Sequence, residues 1–257
     1  MKNFNQYITE KIKLSSDRFK TVCPETKEEL VKIIKAEVNK YGWECNLNHI
    51  DTSKITDMKY LFSNNFCGYN FEQFNGDISK WDVSNVIDMS LMFSGALSFN
   101  QPIGDWDVSS VKFMHGMFNN AQSFNQPIGD WNVSSVEDMS LMFQTTSFNQ
   151  PIGEWDVFNV KFMHCMFNKA QSFNQPIGDW NVSNVTNMIG MFEEAQSFNQ
   201  PIGNWKVSKV EYMSDMFYQA QSFNQDISNW KLNDKCDTEN MFEKCLIKEE
   251  YKPACVN

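Results

Sequence analysis

The side chains of this chain that could do chemistry stand mostly in rows. One row reads Lys80, Asp105, Asp130, Glu154, Asp179, Asn204, Asn229, and a second reads Asp82, Asp107, Asn132, Asp156, Asn181, Lys206, Lys231. Carboxylates can act as a general acid and base where their surroundings drive their proton affinities apart. They can hold calcium where six or more oxygens converge. Acids that recur at a fixed interval offer neither an isolated catalytic pair nor a converging cage. The rows predict instead an acidic strip, turning basic towards the C-terminus, that suits a protein partner carrying a basic segment; the alternative is a solvated face inherited by duplication. Asp82, Asp105, Asp107, Asp130, Glu154, Asp156 and Asp179 are its candidate contact residues.

A second candidate lies in "KFMHGMF" and "KFMHCMF", which place Phe113 with His115 and Phe162 with His164. The two segments are two repeats apart. At the spacing of paired strands this predicts at least about 10 Å between the histidines, too far to share one metal ion, whose ligand bonds are near 2 Å. Cys165 beside His164 is not a catalytic pair by adjacency, because neighbouring helical residues do not face each other. No phosphate-binding glycine loop, nucleophile elbow, H-E-x-x-H or dinucleotide fingerprint occurs. The sequence therefore predicts no catalytic residue, no metal and no cofactor, and an activity that is not enzymatic.

What positions these rows is a repeat. Trp81, Trp106, Trp131, Trp155, Trp180, Trp205 and Trp230 recur every 25 residues, with one step of 24 where "QTTSFNQ" replaces "NNAQSFNQ". A fixed period of this length signals a repeat array whose units bury their apolar faces only by stacking. Within the unit through Trp106, Ile103, Trp106 and Val108 read as a short strand. Val111, Met114, Met117, Phe118 and Ala121 recur at threes and fours and read as a short helix. Ile50 opens a disguised first turn, and "WKLNDKCDTENMFEKC" is a degenerate last one. Strands pack about 4.8 Å apart and helices about 10 Å across. The predicted fold is therefore an α/β solenoid, leucine-rich-repeat-like and curved, of about eight turns. Its short parallel strands line the concave side, carrying the acidic strip. Its short helices line the convex side, carrying Phe113, His115, Phe162 and His164. The tryptophans, phenylalanines and methionines fill the core, and the Asn100–Asn224 column serves the backbone of its own turns.

The boundaries read from the sequence are an N-terminal arm and capping helix over 1–47, the repeat array over 48–247 and a tail over 248–257. In "PETKEELVKIIKAEVNKYG", Thr26 and Glu29 form a capping box. Leu30, Ile33, Ile34 and Val38 share a face, and Gly42 stands at the stop. With 22 Lys+Arg against 32 Asp+Glu the net charge is −10, which argues against nucleic acid. No apolar run is long enough to insert in a membrane. The N-terminus shows no signal peptide, and the seven cysteines are scattered. A reduced, cytoplasmic protein is the expectation.

"ISKWDVSNVIDMSLMF", "FNQPIGDWNVSNVTNMIGMF" and the lead-in "KEELVKIIKAEVNKYGWECNLNHIDTSKITDMKYLF" resemble the BspA-like leucine-rich-repeat surface-protein family, including its mycoplasma and lactobacillus branch. The likeness covers about residues 24–245. It implies a leucine-rich-repeat-like array and, in many members, cell-surface adhesion, so a surface or virion location and a structural role in a larger assembly stand beside the recognition scaffold. Departures are the Trp and Met residues in place of Leu, and Val111 and its equivalents in place of the usual Asn.

Overall fold

The unit through Trp106 is a chain of tight turns. Backbone N–H groups of Trp106, Val111, Met117, Asn119, Ala121 and Phe124 each donate to the carbonyl three residues back, on Ile103, Val108, Met114, Gly116, Phe118 and Ala121. The apolar residues that open and close these turns are buried: Ile103, Trp106, Val108, Val111, Met114, Met117, Phe118, Ala121 and Phe124. The same turns recur in the following units. The structure, a computed structural model, describes residues 21–64 and 68–254.

This overturns the α/β leucine-rich-repeat-like solenoid. Among the described residues there is one α-helix and no extended strand or sheet, only isolated parallel bridges. The predicted strand around Trp106 and Val108 is non-repetitive backbone between turns, and the predicted helix from Val111 to Ala121 is overlapping turns. Turns closed at every third residue bury the same positions as a helical stripe, so periodicity could not tell them apart. A helix is prevented by residues in the left-handed region, two in each central unit: Gly116 and Asn120, Leu141 and Thr145, Cys165 and Lys169, Gly190 and Glu194. Each costs a non-glycine residue about 1–2 kcal/mol, which the bonds to the adjoining unit must offset. With neither strands nor repeat helices, there is no concave strand face and no convex helical face. The candidate residues lie on faces of a stack of turns.

Successive units are joined side by side. N–H groups of Met114, Gly116, Phe118 and Asn120 donate to carbonyls of Asp138, Ser140, Met142 and Gln144 one unit on, while Glu137 N–H returns a bond to Lys112. Parallel bridges link Asp57, Asp88, Phe113, Asp138, Phe162, Asn187, Tyr212 and Asp237 in sequence. Side chains extend the ladder. The indole Nε1–H of each repeat tryptophan donates to an Ile or Leu carbonyl of the preceding unit, as Trp155 does to Ile128 at 3.1 Å and Trp180 to Ile152 at 3.0 Å. Phe143, Phe167 and Phe192 stack with centroids 5.7 Å apart. The Asn column works between units and not within them: Asn149 Oδ1 accepts the backbone N–H of Asn174, and Asn174 Oδ1 that of Asn199. Glycine is required where the units come closest, since a Cβ at Gly178 would stand 2.4 Å from the Pro201 carbonyl oxygen.

Both ends are covered. Helix α1, Lys27–Tyr41, buries Leu30, Val31, Ile34 and Val38 in the same core that holds Leu47, Ile50 and Met58. Thr26 Oγ1 accepts the Glu29 N–H, and the Glu29 carboxylate reaches the N–H of Glu25, one residue before the cap. At the other end a 3-10 turn, Glu249–Tyr251, lies against the last units, with Ile227 donating to the Tyr251 carbonyl and Lys248 N–H to Asn224 Oδ1. Of the predicted arm over residues 1–22, residues 1–20 lie outside the described residues, as do Cys67 and Cys255, and Val22 pairs with Ile50 in a parallel bridge.

Candidate functional site

The seven acids of the predicted strip are all exposed, but the structure divides them. Asp82, Asp107 and Asp156 turn back on their own chain: each Oδ1 accepts the backbone N–H two residues on, from Ser84, Ser109 and Phe158. The hydrogen bonds from Ser109 lower the proton affinity of Asp107. Asn132 and Asn181 make the same bond. An amide oxygen serves as well as a carboxylate there, which explains the alternation of Asp and Asn in that row. Asp105, Asp130, Glu154 and Asp179 are different. Each stands immediately before a buried tryptophan, and none has a hydrogen bond or ion pair with a described residue. They form a line of free carboxylates on four consecutive units.

Phe158 is a residue that the sequence reading passed over. It takes the place of the serine found at Ser84, Ser109 and Ser134, two residues after Asp156, and is 46% exposed. Its departure from the repeat was the available signal. Beyond Asn204 the strip becomes basic, and a shallow cavity of about 260 Å³ there is lined by Lys206, Ser208, Asn229 and Lys231.

The second candidate group lies along the bridge column. Phe113 and Phe162 occupy bridge positions and are 40% and 41% exposed. His115 and His164 follow two residues on, in units separated by the one that carries Asp138 and Ser140. Their ring centroids are 6.3 Å apart, with planes tilted by 52°. The expected 10 Å or more is wrong because both rings lean over the small side chain between them. His115 Nδ1 lies 2.7 Å from Ser140 Oγ and 3.9 Å from Asp138 Oδ2, and the Ser140 hydroxyl donates to Asp138 Oδ1. With the hydroxyl hydrogen committed to Asp138, His115 Nδ1–H is the donor to Ser140 Oγ, and in the neutral ring the lone pair is on Nε2. His164 Nδ1 is buried and has no hydrogen-bond partner. Burial lowers the proton affinity of His164, Asp138 offsets part of this, and His115 adds to it. Burial also raises the Cys165 thiol to about 11, which leaves it protonated and unreactive at neutral pH.

The repeat matches, twice over, the family described as "Mycoplasma protein of unknown function, DUF285", across residues 36–151 and 143–252. The chain belongs to the DUF285 family. No curated protein and no solved structure matches it. The two DUF285 matches meet at residues 143–151, the segment of the 24-residue step, and each takes in three or more of the repeat tryptophans. Among the described residues of this DUF285 chain, no helix is long and apolar enough to cross a membrane, and no group of three or more His, Cys, Asp and Glu side chains is arranged around a metal position. Cys23, Cys45, Cys165, Cys236 and Cys245 form no disulfide with one another.

Proposed function

We propose that the chain is a non-catalytic scaffold that recognises a protein partner through a basic segment of that partner. The observation that carries this reading is the line Asp105, Asp130, Glu154 and Asp179: four exposed carboxylates on adjoining units, none paired with a charge among the described residues. Like charges on adjacent units repel, and a row of lysines or arginines laid along them would relieve that repulsion. Phe158 at the margin supplies an aromatic surface of the kind that anchors interfaces. Complementary charge of this sort acts chiefly on encounter rate and partner choice.

The test uses a fluorescent lysine-rich peptide and two neutralised variants. Asp105→Asn/Asp130→Asn/Glu154→Gln/Asp179→Asn is expected to weaken binding at least tenfold. Asp82→Asn/Asp107→Asn/Asp156→Asn removes three charges but keeps the turn-capping oxygens, and is expected to bind within threefold of the parent. Equal losses in both variants would reduce the effect to net charge and overturn the reading. A second reading, a cell-surface or virion adhesin, rests on the likeness of the repeat to BspA-like surface proteins. Cell fractionation with a protease-accessibility assay separates it from an internal scaffold.

A further inference from the structure

We propose that His115 and His164 together bind one late first-row divalent metal ion, bridging two units across the one between them. An ion coordinated by two imidazoles sits about 2.0–2.1 Å from each nitrogen, which with the size of the rings puts their centres roughly 5–6.5 Å apart. The observed 6.3 Å lies at the wide end of that span, where the two ring nitrogens, after side-chain rotation, would stand nearly opposite each other across the ion. Imidazole favours copper, nickel and zinc over calcium or magnesium.

Two details of the pair suit a ligand role. The Asp138–Ser140 relay holds His115 Nδ1, which fixes the ring and leaves Nε2 to coordinate. An outer carboxylate of this kind orients metal-ligating histidines and raises their basicity. The His164 ring makes no hydrogen bond among the described residues, its Nδ1 being buried without a partner, so no bond has to break for the ring to turn to an ion. The remaining coordination positions fall to water, which the partly exposed His115 ring admits. The site asks for two protein ligands and so lies outside any three-residue cluster. It depends on Ser140: a larger side chain there would hold the rings apart.

The experiment titrates chelator-treated protein with Cu²⁺, Ni²⁺ and Zn²⁺ separately, following heat release and thermal unfolding. One ion per chain is expected, tightest for Cu²⁺ as the usual order of these ions requires, with a rise in unfolding temperature because the ion binds only the folded stack. His115→Ala and His164→Ala should each weaken Cu²⁺ binding at least tenfold while leaving the metal-free unfolding temperature within about 2 °C. His49→Ala and Cys165→Ser should change neither. In the Cu²⁺ complex, electron paramagnetic resonance should show coupling to two imidazole nitrogens. Undiminished binding in the double His115→Ala/His164→Ala variant, dependence on a cysteine or on His49, or no binding at millimolar ion would overturn the proposal.

Discussion

The tryptophan column and the bridge column run the length of the same stack, yet one repeats a single residue and the other alternates. Every repeat indole from Trp81 to Trp230 is buried and gives its N–H to a carbonyl of the preceding unit. Change the side chain and that carbonyl loses the donor from the next unit and keeps only the N–H of its own turn. The bridge column reads Asp57, Asp88, Phe113, Asp138, Phe162, Asn187, Tyr212, Asp237, and its units are joined there chiefly by backbone, with side-chain contacts added from Lys59 to Asp88 and from His115 to Asp138. Its side chains are free to differ, and they do so with a two-unit rhythm that brings His115 and His164 into step. Uniformity marks where side chains carry the joint between units, and variation marks where they are released for other work.

Three substitutions press on this contrast. Phe167→Ala removes a buried ring stacked between Phe143 and Phe192 and packed on Phe173. It should cost about 3–5 kcal/mol in denaturant unfolding, the largest effect. A smaller loss would mean that the units close up around the void. Trp155→Phe keeps an aromatic ring but removes the indole bond to the Ile128 carbonyl, which retains the Trp131 N–H, and should cost about 0.5–1.5 kcal/mol for that bond. If it is silent, the indole bond does not join the units and the contrast fails. Phe162→Asn puts into the bridge column the residue that already stands at Asn187. Stability should stay within about 0.5 kcal/mol, measured the same way; a loss as large as that of Trp155→Phe would erase the distinction between the columns.

Much of this was legible in the sequence. The period, the buried Ile, Trp, Val, Met and Phe positions and the exposure of the residues flanking tryptophan follow from composition and spacing. So do the stop at Gly42 and the buried face of α1. The secondary structure was not, for a reason visible at single residues. Leu141, Cys165 and Lys169 adopt left-handed backbone without being glycine, and nothing in a leucine or lysine announces that. Only the bonds from Leu141 N–H to His164 O and from Lys169 N–H to Glu193 O, made across units, hold them there. The split in the acidic strip was hidden similarly, because Asp107 and Asp105 look alike until the Ser109 N–H is seen to meet only one of them. The meeting of the histidines depended on the small size of Ser140, a residue of a different unit.

Thr146 shows what such a stack tolerates. In full-length units an alanine backbone closes the last two turns, as Ala121 does by bonding to Phe118 O and receiving Phe124 N–H. In the unit that lacks one residue, the Thr146 hydroxyl donates to Phe143 O and accepts the Phe148 N–H instead. A side chain thus splices the gap left by a lost peptide group. Beyond the splice the next indole, Trp155, still reaches its carbonyl, so the register survives a shortened lap and the lineage could lose a residue without losing its place.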